Sequence, residues 1–139
     1  MLEFHRDALI RKSDGLDEDA LRRSPVPSGT NLMGLLHHLT RTEEWWFEGC
    51  LTGRPFDGDP RQEHQAPDGV GHAEIVEAYR DQCARSREVV REAQLDAVAM
   101  NGFMRPTLRW ILVHMIEETA RHNGHADILR ELIDGHAGE

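Results

Sequence analysis

Cysteine is scarce in this sequence, and long apolar runs are absent from it. Cys50 and Cys83 are the only two cysteines and form no Cys-x-x-Cys pair, which argues against a disulfide framework or a thiolate metal site. We expect two reduced thiols that are inert if buried. No stretch approaches the roughly eighteen apolar residues of a membrane span. Charges occur throughout residues 1–15, so a signal-peptide core is missing and a cytoplasmic location is predicted.

Basic residues are in the minority. Sixteen lysines and arginines face 25 aspartates and glutamates, giving a formal net charge of −9. That balance argues against a nucleic-acid backbone or an anionic membrane surface as the main partner. With 139 residues the chain is long enough for one domain with a real core and too short for two comfortable ones. We therefore predict a single domain over residues 1–139.

Helical periodicity recurs in four stretches, and no strand pattern or internal repeat accompanies it. The predicted helices cover residues 1–23 with a break near Asp14 and a cap at Asp17, 31–49 with a cap at Thr30 or Ser28, 72–95, and 107–135 with Pro106 near the start and Gly135 at the end. Four amphipathic helices with two short links and one long one predict an all-α four-helix bundle.

The long link joins the second and third predicted helices. Residues 52–71 read TGRPFDGDPRQEHQAPDGVG, with four glycines, three prolines and no periodicity. A loop of about twenty residues is unusual inside a compact domain and is often functional. We expect a lid or a binding loop.

Histidine is abundant, with nine in the chain, and three lie on predicted apolar faces. The last helix carries two of these three. Its inward positions follow steps of three and four and are Leu108, Ile111, Met115, Glu118, His122, His125, Leu129 and Leu132. A carboxylate and two imidazoles therefore interrupt an apolar face, and an ionised glutamate without a partner is costly to desolvate.

A divalent metal would compensate that carboxylate. Glu118 and His122 lie one helical turn apart, and His38 on the second helix can supply a third ligand. Such a set suits Zn²⁺, Ni²⁺ or another first-row ion and leaves positions open for water or substrate, as in catalytic sites. Two alternatives remain open from spacing alone: hydrogen-bonded core histidines, and an ordinary buried ion pair between Glu118 and an inward arginine.

The segments GLLHHLTRTEEWWF, residues 34–47, and LRWILVHMIEETARHNGHADILREL, residues 108–132, resemble the DinB-like superfamily. The sequence is most similar to its actinobacterial branch, related to mycothiol-dependent maleylpyruvate isomerase and bacillithiol S-transferases. The resemblance implies an up-down-down-up four-helix bundle whose metal ligands fall at His38, Glu118 and His122 here. It also implies an enzyme that activates a low-molecular-weight thiol such as mycothiol for transfer to a small electrophile.

Two other functions compete with the S-transferase. One is metal-assisted hydrolysis, and the other is a non-catalytic metal-binding stress-response module. In each, a small molecule or ion is the partner, with no nucleic acid and no membrane. The tryptophan-rich helix ends leave a homodimer open.

Several residues near the candidate ligands also have expected positions. His37 should face solvent, and His114 is favoured as core. His125 should lie on the pocket side, beside the ligands or facing substrate, as the candidate acid or base. Gly124 would allow close approach by another backbone. Three tryptophans, Trp45, Trp46 and Trp110, are expected to be core and pocket wall rather than a stacking platform.

Overall fold

The computed structural model describes residues 1–102 and 104–138, and all extended regular structure within them is helical. The elements are α1 Leu2–Ser13, α2 Glu18–Arg22, α3 Leu32–Glu43, a π-helix Glu44–Leu51, α4 His72–Glu92 and α5 Leu108–Asp134. One isolated antiparallel bridge joins Val98 to Thr107 just before α5. The prediction of an all-helical protein is confirmed. In the described part of the chain, no helix is long and apolar enough to cross a membrane.

The helix boundaries follow local capping chemistry. Asp17 accepts a hydrogen bond from the Ala20 amide at 2.8 Å, so the predicted break and cap are confirmed. The predicted cap of α3 is wrong. Asn31 caps it instead, accepting from the Gly34 amide at 2.8 Å, because the Ser28 and Thr30 hydroxyls bond each other at 2.9 Å.

The second predicted helix changes pitch rather than ending at residue 49. α3 passes directly into the π-helix, which runs to Leu51. A π-turn adds a residue to the turn and often marks a functional site. Here it leaves two consecutive tryptophans, Trp45 and Trp46, half-buried against the same cavity.

The last helix departs from its predicted inward face after His122. His125 is exposed and Leu132 is 55% exposed, whereas Asn123 and Ala126 are buried. The true helical period of 3.6 residues rotates the buried side away from a strict three-four alternation. Gly124 continues the helix, but a Cβ there would meet nothing within 4 Å, so the predicted close approach is wrong.

Packing divides the core into two clusters. One gathers α1, α3, α4 and the C-terminal half of α5, including the fully buried Tyr79. The other surrounds Phe47 and Met115 near the π-helix and the N-terminal half of α5. Both cysteines are buried and free, and burial raises the pKa of Cys83 to about 12, which makes the thiol inert as expected.

Candidate metal centre

Three ligand-type side chains meet between α3 and α5. Atoms of His38, Glu118 and His122 lie within 4.8 Å of one another, and all three residues are buried. Glu118 Oε1 is 3.0 Å from His122 Nε2 and 3.5 Å from His38 Nε2. One carboxylate oxygen and two imidazole nitrogens therefore point at the same small volume.

Each imidazole is oriented by a partner on its other nitrogen. His38 Nδ1 lies 2.9 Å from the Pro60 carbonyl oxygen, which can only accept, so Nδ1 carries the proton and Nε2 keeps its lone pair. His122 Nδ1 lies 3.3 Å from His125 Nδ1. If His122 donates there, its Nε2 is also left with a lone pair. Such outer partners commonly fix the tautomer of metal-binding histidines.

Arg121 partners the outer oxygen of the carboxylate. Its guanidinium contacts Glu118 Oε2, whereas Oε1 faces the two histidines. The Arg121 side chain is 59% exposed and approaches from the cavity rim. The sequence left open a buried ion pair with an inward arginine, whereas the arginine that pairs with Glu118 is largely exposed and contacts Oε2, not the oxygen shared with His38 and His122. No other cation in the described residues takes the inner position, so the donor set fits a divalent ion.

Burial keeps these imidazoles neutral. Desolvation, with nearby cationic and imidazole groups adding to it, lowers the pKa of His122 to about 3, and desolvation also lowers the pKa of His38. Neutral imidazole is the form that binds metal. The site is therefore ready for an ion at neutral pH without first losing protons.

This neutrality predicts how pH affects the metal-free protein. The unfolded chain protonates His122 below about pH 6.5, whereas the folded chain resists protonation until about pH 3. Above pH 6.5 His122 is neutral in both states and does not lower the free energy of unfolding. As the pH falls from 6.5 towards 3, protonation of the unfolded chain lowers that free energy by up to roughly 1.4 kcal/mol per pH unit. When the free energy of unfolding is measured by urea at several pH values in this window, it should fall less steeply with decreasing pH for His122→Gln than for the wild type. Equal slopes would contradict the prediction.

A cavity of about 720 Å³ opens beside His38 and Glu118. His38 and Glu118 lie at one part of its lining, and the tryptophans with His114 at another. Gly58 to Arg61, from the long loop, form a further wall. This volume is typical of a small-molecule site.

The long loop, residues 52–71, packs against α3 through several side-chain and backbone contacts. Arg41 Nε donates to Glu63 Oε2 at 2.7 Å, and its guanidinium lies 4.3 Å from the Phe56 ring centroid. Gly34 permits the contact with α3, because a Cβ there would come within 2.2 Å of the His64 carbonyl oxygen. The loop thereby holds Pro60 on His38 and stacks the His64 ring on His38 at 4.3 Å.

Several sequence expectations shift at this site. His37 is half-buried beside Glu63 instead of facing solvent, because the loop covers it. His114 is half-buried in the cavity wall instead of in the core. His125 lines a separate cavity of about 370 Å³ with Val26 and Ile128. Sequence reasoning missed Arg121, although its position three residues after Glu118 was a usable signal.

A protein-family model described as mycothiol S-transferase matches residues 1–135, nearly the whole chain. The chain belongs to the mycothiol S-transferase family. Membership in this family confirms the DinB-like resemblance. Searches of curated proteins and of solved structures found no match. Membership in this family implies a small-molecule substrate.

Proposed function

We propose that this protein is a divalent-metal-dependent S-transferase that joins a mycothiol-type thiol to a small electrophile. One observation carries the proposal: the buried ligand-type side chains of His38, Glu118 and His122 meet in a mycothiol S-transferase family member, and two of them, His38 and Glu118, line a cavity of about 720 Å³. A bound divalent ion would favour thiolate over thiol at neutral pH. We propose Zn²⁺ or Ni²⁺, because two imidazoles and one carboxylate suit first-row ions.

The protein's own groups would hold and orient that ion. His38, Glu118 and His122 are the ligands, and the Pro60 carbonyl and His125 turn the two imidazoles towards it. Arg121 restrains the outer oxygen of Glu118. Because His125 Nδ1 is engaged with His122 and its ring borders the separate cavity, we propose orientation, rather than substrate proton transfer, as its role.

The loop wall would receive the polar body of the thiol. Asp59 and Arg61 lie on it, paired at 2.9 Å, and Arg121 faces the same cavity. Charged and backbone groups there can hydrogen-bond a thiol rich in hydroxyl and amide groups. The remaining expectations belong to the same proposal: the up-down-down-up order of a four-helix bundle, a cytoplasmic location and a homodimer.

A metal-restoration assay tests the function. Protein stripped with a chelator is incubated with mycothiol and 2-chloro-N-phenylacetamide, with and without added Zn²⁺ or Ni²⁺, and the thioether product is measured by mass spectrometry. We expect product above the uncatalysed rate only after metal is restored. Metal-dependent cleavage of an ester or amide without thiol consumption would indicate a hydrolase. Tight metal binding without turnover of any thiol would indicate a binding module, and either result would overturn the proposal.

A further inference from the structure

Three aromatic rings make up one wall of the cavity. The Trp110 ring stacks on His114 with centroids 4.9 Å apart and planes 14° apart. Trp46 meets His114 edge-on at 4.8 Å and Trp110 at 5.4 Å. We call Trp46, Trp110 and His114 the aromatic wall. Trp110 keeps 42% of its surface exposed, and all three rings line the same cavity.

The cavity therefore has two chemically different sides. Met104 and Pro106 add further apolar surface to the lining, whereas the loop contributes Asp59 and Arg61. The half-exposed tryptophan in this concave site leaves apolar surface in contact with water. A planar apolar ligand that covered this surface would gain binding free energy. A polar thiol finds its hydrogen-bonding partners on the loop side. The aromatic wall is thus left for the second substrate.

The register of α5 sets the distance between wall and reaction centre. Trp110, His114 and Glu118 follow one another at intervals of four residues on the same helix face. Each interval advances about 6 Å along the axis, so the backbone positions of His114 and Trp110 lie roughly 6 and 12 Å along the helix from that of Glu118. A substrate ring on this wall must be separated from the reacting carbon by a linker of a few bonds.

We propose that the electrophile is an aryl compound whose planar ring stacks on the aromatic wall while its reacting carbon, a few bonds away, faces His38 and Glu118. This assignment rests on the proposed function and replaces the expectation that the tryptophans are only core and wall. In the reaction the thiol gives its proton to solvent, and sulfur bonds to the chloromethyl carbon of a chloroacetamide. The carbon–chlorine bond breaks, and chloride leaves with the electron pair.

Two probes of the same reactive centre test the ring preference. 2-Chloro-N-phenylacetamide and 2-chloro-N-cyclohexylacetamide differ only in a planar versus a puckered ring of similar size. With metal-loaded protein and mycothiol, kcat/KM divided by the uncatalysed rate should favour the phenyl compound by about threefold to tenfold, the strength of ring stacking. Trp110→Leu should abolish this preference, and Trp110→Phe should retain part of it. Phe4→Leu, at an exposed aromatic outside the cavity, should leave it unchanged.

The failures are distinguishable. Equal turnover of both compounds by the wild type would overturn the aryl assignment and leave the S-transferase standing. A rise in the KM for mycothiol in Trp110→Leu, with the phenyl preference intact, would show that the wall binds the thiol and would also overturn it. Absence of turnover with either compound would overturn the proposed function.

Binding can be read without catalysis, because all three tryptophans of the chain line this cavity. Unreactive N-phenylacetamide should change the intrinsic fluorescence of metal-free protein at lower concentration than N-cyclohexylacetamide. The difference should disappear in Trp110→Leu. Equal binding of the two amides by the wild type would contradict the aryl assignment even if no reaction were found.

Discussion

Replacing Glu118 by glutamine should lower the affinity for Zn²⁺ by about 100-fold or more. Loss of partners outside the ligand shell already costs 10- to 100-fold, and this change removes the only anionic ligand while keeping its shape. The two neutral imidazoles would then face a cation with no charge to balance it. Competition between metal-free protein and a chromogenic chelator measures the affinity directly.

Glu117→Gln is the matched control, since it removes the same charge from the neighbouring, exposed position on α5. Its Zn²⁺ affinity should stay within about threefold of the wild type, the effect of a distant screened charge. His114→Ala, in the aromatic wall, should also retain affinity. An equal loss in Glu118→Gln and His114→Ala would contradict the assignment of ligands. If the wild type itself bound no metal, Glu118 would be only the ion-pair partner of Arg121.

Arg6→Met should destabilise the protein by about 3–5 kcal/mol, the cost of leaving a buried charge without its partner. Arg6 joins α1 to α3 through two parallel hydrogen bonds to Glu43, Nε to Oε1 at 2.7 Å and Nη2 to Oε2 at 2.6 Å. Both side chains are almost completely buried, at 4% and 0% exposure. Without the arginine, Glu43 would remain in the core as an isolated carboxyl. Urea unfolding gives the free energy.

A double variant separates the pair from simple loss of packing. Arg6→Met with Glu43→Leu removes both charges and should recover most of the lost stability, because an apolar pair of similar volume is often as stable as a buried ion pair. Arg87→Met serves as the exposed control. Arg87 forms an ion pair with Glu3 at 3.0 Å, but both side chains are about half exposed. Arg87→Met should therefore lower the free energy of unfolding by less than about 1 kcal/mol. If the double variant were as unstable as Arg6→Met alone, an unpaired Glu43 would not be the cause.

The helices were readable from the sequence because their signals are local. The break after α1, the Asp17 cap and the Gly135 end each depend on a few adjacent residues. The cap of α3 was misassigned because Ser28 and Thr30 have the right side chains but bond each other. The π-helix was not predicted, because the 34–47 segment carries the ordinary helical spacing of apolar residues and π-helices are rare.

The sequence predicted only those parts of the site that depend on local helical spacing. Glu118 and His122 follow from helical spacing, and His38 from a face shared with its neighbours. Pro60 and His64 reach His38 from a loop with no periodicity, so their positions depend on long-range packing around Gly34. The exposure of His125 reflects the gradual rotation of the buried face, which a repeating three-four pattern conceals.

The Pro60 carbonyl would couple the loop to the proposed metal centre. The same hydrogen bond that directs His38 Nε2 inward also holds the loop against α3. If a ligand on the loop raises the affinity for the ion, the bound ion must raise the affinity for that ligand by the same factor, because coupling between two binding equilibria is reciprocal. A thiol that raises the affinity for the ion when it binds to the loop would itself bind more tightly to the metal-loaded protein, and release of the product would lower the affinity for the ion again. Substrate occupancy and metal retention would then rise and fall together in this protein.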